Sequence, residues 1–148
     1  MNEKTRPNAH GPAPPARMLH TMIRVSNLEQ SLAFYLDALG MHELRREDYP
    51  EGRFTLVFVG YGDEASNTVI EMTHNWDEGD YSHGTGFGHI AIGVSDIYAA
   101  CERLGSMGIN IARDPGPMTF AADQTGARDV IAFVEDPDVY KIELIGSA

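Results

Sequence analysis

Apolar and polar positions along this chain switch from a period of two to a helical period, and they do so twice in the same order. From His20, "HTMIRVS" alternates: Thr21, Ile23 and Val25 fall on one side, His20, Met22 and Arg24 on the other, as in a half-buried strand. Helical spacing follows, with Leu28, Leu32, Tyr35, Leu36 and Leu39 on one stripe behind Asn27, a suitable N-cap, and Gly40 at its end. Two apolar strands come next, "FTLVFVGYG" at 54–62 and "TVIEM" at 68–72. The second round begins at His89, where Ile90, Ile92 and Val94 oppose His89, Ala91 and Gly93. Asp96 is the N-cap, Ile97, Ala100, Cys101, Leu104 and Met107 form the stripe, and Gly108 ends it. "DVIAFVED" at 129–136 and "YKIEL" at 140–144 are its closing strands.

The two rounds are one repeat. "HTMIRVSNLEQSLAFYLDALGM" lies over "HIAIGVSDIYAACERLGSMGIN" without a gap, at an offset of 69 residues. The pattern predicts an α+β fold of two tandem βαβββ modules, at about 18–76 and 86–146 within a domain spanning 18–148. The expected arrangement is a curved sheet with its helices on the outer face and the opposite, concave face left open.

Composition narrows the function classes. At 148 residues the chain has the size of one domain. No apolar run approaches the ~18 residues of a membrane span, so a membrane home is not expected. Residues 1–17, with four prolines and no apolar stretch, read as a disordered leader rather than a signal peptide, and the expected location is the cytoplasm. A net charge of −11 speaks against nucleic acid as a partner. The one cysteine, Cys101, lies in the apolar stretch "IYAACERL" and is expected to be a buried thiol. The basic stretch "LRRE" at 44–47 reads as a solvated face.

The chemistry sits where the pattern is broken. Each module opens on a histidine, His20 or His89, and closes on a glutamate between apolar neighbours, Glu71 in "VIEM" or Glu143 in "KIEL". Strand parity turns all four toward the open face. A carboxylate in an apolar strand is costly unless it is paired or ligated. The four residues therefore read either as two His–Glu ion pairs kept for structure or as the ligands of one divalent first-row metal, for which two imidazoles and two carboxylates are a suitable set. His10, in the leader, His42, after a helix end, and His74 and His83, in a polar loop, read as solvent-exposed.

The stretches "LHTMIRVSNLEQSLAFYLDALGM", "VIEMTHNW", "GFGHIAIGVSD" and "VIAFVEDPDVYKIEL", in this order across about 18–145, resemble the glyoxalase I (lactoylglutathione lyase) family of the vicinal-oxygen-chelate superfamily. The resemblance implies that His20, Glu71, His89 and Glu143 are metal ligands, that the protein is a homodimer whose sites are shared between subunits, and that the metal is nickel or cobalt, with zinc possible. It implies isomerisation of the methylglyoxal–glutathione hemithioacetal to S-D-lactoylglutathione through an enediolate, with Glu143 as the base and Glu71 assisting. It also implies that Arg24, Asn75 and Arg113 contact the glutathione moiety. The alternatives are an extradiol dioxygenase or an antibiotic-directed thiol transferase on the same scaffold, each leaving one of the four positions without a function, and a non-enzymatic drug-binding module needing none. Three features depart from the family. Thr85 stands where some members carry an arginine, the loop at 118–128 is long and reads either as a lid or as a tolerated surface insertion, and Val139 replaces the glycine of "DPDGY". If that position requires positive φ, a β-branched residue there is strained by about 1–2 kcal/mol.

Overall fold

Each module closes its own four-stranded sheet in the computed structural model, which describes residues 9–147. Module one runs β1 (His20–Arg24), α1 (Leu28–Leu32) continued by a π-helical segment (Ala33–Ala38), β2 (His42–Tyr49), β3 (Phe54–Gly60) and β4 (Val69–Asn75). Module two runs β5 (Ile90–Val94), α2 (Ile97–Ser106), β6 (Ile111–Pro117), β7 (Val130–Glu135) and β8 (Lys141–Gly146). The sheet orders are β1-β4-β3-β2 and β5-β8-β7-β6, with the first pair of each parallel and the others antiparallel. The tandem βαβββ order read from the repeat is therefore the observed one, expressed as two mixed sheets.

Both helix starts are capped as their residue types predict: the Asn27 side chain accepts from the Gln30 amide and Asp96 from the Ala99 amide, each at 3.0 Å. Gly40 and Gly108 end the helical segments at φ +76° and +79°. The first helix departs from the expected regular one. After Leu32 it widens into i→i+5 bonding, with the Leu39 amide donating to the Phe34 carbonyl at 3.0 Å. The widened segment buries the consecutive Phe34 and Tyr35 together with Ala38. In α2 the stripe stops earlier than its spacing suggests. Met107 is the C-cap and 45% exposed, because the chain turns there and the half-buried Ile109, its amide on the Leu104 carbonyl, packs on the core instead.

The core is one cluster. The inward positions of module one (Ile23, Val25, Val57, Ile70, Met72) join those of module two (Ile92, Val134, Ile142, Leu144) and both helical stripes. Cys101 is buried in it, and burial raises its thiol pKa. Between the modules, Arg103 of α2 donates to the Ala38 and Asp37 carbonyls at the end of the π-helical segment, at 2.7 and 2.8 Å. Of the 1–17 leader, residues 1–8 lie outside the described residues, and 10–17 form no strand or helix. The 118–128 loop closes on itself through the Met118 amide on Asp129 and the Ala122 amide on Ala127, both at 2.9 Å. Among the described residues no helix is long and apolar enough to cross a membrane.

Candidate metal centre

Parity delivers the four singled-out side chains to the faces opposite the core. Ile70 and Met72 are buried on either side of Glu71, as are Ile142 and Leu144 around Glu143, so both carboxylates turn outward. On β1, Ile23 is buried while His20, Met22 and Arg24 are exposed. His89 stands immediately before β5.

The structure brings these residues together as two pairs. His20 Nε2 lies 2.5 Å from Glu71 Oε2, and His89 Nε2 lies 3.5 Å from Glu143 Oε2. Among the described residues no three His, Cys, Asp or Glu side chains converge on one point, so one chain presents two separate half-sets. The two glutamate side chains are only 15% exposed, and a histidine is the one ion-pairing partner each has among the described residues. Two such half-sets supply two imidazole nitrogens and two carboxylates, a donor set that fits a divalent first-row cation.

A third element of the repeat was missed in the sequence. Phe58 lies opposite Glu71 across β3 and β4 and meets the His20 ring edge-on at 5.6 Å; Phe133 lies opposite Glu143 across β7 and β8 and meets His89 edge-on at 5.3 Å. The signal was present as a Phe-Val step in each copy's next-to-last strand, "LVFVG" and "IAFVE". Each ring is in turn opposed by an arginine at a register irregularity, Arg45 for Phe58 and Arg113 for Phe133. The Arg45 guanidinium sits 3.6 Å from the Phe58 ring centre and pairs with Glu64 and Glu47.

The three expected substrate contacts are not equivalent. Arg24 and Asn75 share the open face of His20 and Glu71, at the other end of β1 and β4. Asn75 Nδ2 is near the Tyr81 hydroxyl at 3.3 Å. Arg113 lies on the other sheet, where its Nη1 donates to the Ile131 carbonyl at 2.9 Å and its Nη2 to the Pro117 carbonyl at 2.8 Å. Two of the remaining histidines differ from expectation. His74 belongs to β4, which continues to Asn75 because it pairs with β3, and its Nδ1 meets the Val25 carbonyl at 3.2 Å. His83 is stacked on Tyr140.

A turn at residues 136–140 connects the modules beside this centre. Asp136 is buried; it accepts from the Tyr35 hydroxyl at 2.7 Å and from the Asp138 and Tyr140 amides at 2.9 and 2.8 Å. Burial raises the carboxyl pKa of Asp136, and these hydrogen bonds only partly oppose it. Burial and the neighbouring carboxylate push the Tyr35 hydroxyl well above its ordinary value. Asp138 accepts from the Ser26 amide and hydroxyl, and the Tyr140 hydroxyl donates to the Arg24 carbonyl at 2.9 Å. Val139, within the turn, has φ +66°, so its position is of the kind a glycine favours.

The profile of the Glyoxalase/Bleomycin resistance protein/Dioxygenase superfamily matches residues 17–144. The lactoylglutathione lyase of Neisseria meningitidis is 60% identical over 129 residues, covering 87% of this chain and 89% of that protein. Glyoxalase I from Zea mays superposes with a TM-score of 0.81 at 42% identity, over 89% of this chain. This chain spans 45% of the maize chain's length. The trypanothione-dependent glyoxalase I of Leishmania major gives a TM-score of 0.75 at 44% identity, covering 89% of this chain and 87% of that one. With the paired modules, the repeated His–Glu pairs and this degree of identity in agreement, the chain belongs to the glyoxalase superfamily and, within it, to the lactoylglutathione lyase family.

Proposed function

We propose that this protein is a metal-dependent glyoxalase I that isomerises the methylglyoxal–glutathione hemithioacetal to S-D-lactoylglutathione. The observation that carries the reading is the repeated His–Glu pair on the open face of each sheet, in a chain 60% identical to a lactoylglutathione lyase. His20 and Glu71 of one subunit and His89 and Glu143 of a second copy form the metal site, so the active species is a homodimer. Nickel or cobalt is the favoured metal and zinc the alternative, because the short segment between His20 and Glu71 resembles nickel- and cobalt-activated members of the family. A cytoplasmic location fits the single buried cysteine and the need for a reduced thiol cosubstrate.

His20, Glu71, His89 and Glu143 would hold a divalent ion, which would supply Lewis-acid polarisation of the hemithioacetal oxygens and offset the charge left by loss of the carbon-bound proton. Glu143 accepts that proton and returns it to the adjacent carbon while the hemithioacetal hydroxyl proton passes to the neighbouring oxygen, leaving a thioester carbonyl and a new hydroxyl; Glu71 assists and serves the other stereoisomer. The buried neighbours of both glutamates keep their side chains on the open face. Arg24 and Asn75 hold the carboxylate and amide groups of glutathione. Arg113, with both terminal nitrogens on backbone carbonyls, acts on the substrate through the field of its charge.

The test is reconstitution. Metal-stripped protein reloaded with nickel, cobalt or zinc and given methylglyoxal and glutathione is expected to form the thioester; no thioester with any of the three overturns the reading. His20→Ala is expected to abolish turnover, because it removes one of the two histidines in the ligand set.

A further inference from the structure

A glutathione conjugate carries two carboxylates, and a chain of net charge −11 must meet them with local cations. Arg24 supplies one on the open face of the first sheet. On the second sheet Arg113 is already engaged: its Nη1 donates to the Gly116 and Ile131 carbonyls and its Nη2 to that of Pro117, at the neck of the 118–128 loop. Lys141 is free of such ties. It stands on β8 between the buried Tyr140 and Ile142, so it shares the open face with Glu143, two residues or about 6.6 Å further along the strand. Ile90 and Ile142 are register partners, which sets Lys141 level with His89, and the two line one open space together with Phe133. The Lys141 side chain is exposed, and among the described residues its ammonium has neither an ion-pair nor a hydrogen-bond partner. Glu135, opposite it across β7 and β8, instead accepts at Oε2 from the Asn110 side-chain amide at 3.1 Å.

An ammonium on a flexible four-carbon stem can turn its three donors toward an arriving anion, whereas a guanidinium fastened to carbonyls must first give them up. We propose that Lys141 is a substrate-binding residue: its ammonium pairs with one carboxylate of the glutathione moiety, Arg24 takes the other, and Arg113 holds the neck of the loop. The proposal rests on the glyoxalase reading above.

Lys141→Gln removes the charge, and Lys141→Arg keeps it. Calorimetry with S-methylglutathione and with its diethyl ester, which has no carboxylate, reads the contact without turnover. Wild type is expected to prefer the acid, and less so as ionic strength rises. Lys141→Gln should lose about tenfold in affinity for the acid, the lower end of the scale for a hydrogen bond to a charged group, and none for the ester. Lys141→Arg should recover most of the loss, and metal content after dialysis should be the same in all three proteins. In turnover the same factor should appear in KM, with kcat held. Affinity of Lys141→Gln for the acid within about twofold of wild type overturns the proposal. So does an equal loss for the ester, which would assign the effect to the stem and not to the charge. A wild type that binds the acid no better than the ester overturns it too, whether or not the protein turns over the hemithioacetal. If the acid preference depends on Lys141 but no metal gives turnover, the glyoxalase reading fails and the Lys141 assignment stands.

Discussion

Glu71 and Glu143 have no choice of face, because each sits in a strand between two buried apolar neighbours. Exchanging either for glutamine keeps the shape and one oxygen donor but removes the proton acceptor. Glu143→Gln is expected to lower kcat by at least about 100-fold, the usual scale for a lost general base, and Glu71→Gln by less. Metal content measured after dialysis separates lost chemistry from a lost ligand. Val139 makes a prediction of the opposite sign. A β-branched residue at φ +66° costs about 1–2 kcal/mol, and glycine gives back part of that through its greater freedom in the unfolded chain. Val139→Gly is therefore expected to raise the unfolding midpoint by roughly 2–4 °C, which a thermal melt reads directly. At this scale the sequence was highly legible. The faces of His20, Glu71 and Glu143 follow from a period of two, and Val139 was conspicuous only through the resemblance, as a β-branched residue in place of the glycine of "DPDGY". Phe58 and Phe133 escaped because an aromatic residue inside an apolar strand reads as core until register places it opposite a glutamate.

The elements were predicted by type and order, but no stretch was assigned to β2 or β6, and the irregularities were not foreseen. Asn27, Asp96, Gly40 and Gly108 are local signals and act locally. The π-helical widening at Ala33–Ala38 accompanies burial of Phe34 and Tyr35 side by side, with the Tyr35 hydroxyl on Asp136 of the other module. That contact leaves a signature in the pH dependence of stability. Burial raises the Asp136 pKa in the folded state above its unfolded value. Between the two values the folded state holds more protons than the unfolded one, so this group's contribution to stability falls as pH rises through that window. The Asp136→Asn variant loses an acceptor and is expected to be less stable at every pH. In urea unfolding it should also lack the decline, from the ordinary carboxylate range upward, that wild type shows from this residue; equal slopes for the two proteins would contradict this account.

At the scale of the whole molecule, the two modules share one core and are stitched by Arg103 to the π-helical segment and by the 136–140 turn to Ser26, Tyr35 and Arg24. Within that body the two His–Glu pairs remain separate, which makes the shared site of a homodimer directly testable. His20→Ala and His89→Ala homodimers should both be inactive. When their subunits are exchanged, a mixed dimer carries both lesions in one site and leaves the other intact, so random mixing should recover about a quarter of wild-type activity. If every site is built within one chain, mixing recovers nothing. The sequence by itself determined the repeat, the order of elements, the caps and the side of each strand on which the candidate ligands lie, because these depend on periodicity and on residues a few positions apart. Only the tertiary structure decided that each module forms its own sheet, that the ligand pairs stay apart within a chain, that both terminal nitrogens of Arg113 serve backbone carbonyls, and that Val139 faces a cavity beside His89. Those outcomes depend on contacts between residues far apart in the chain, and no local pattern encodes them.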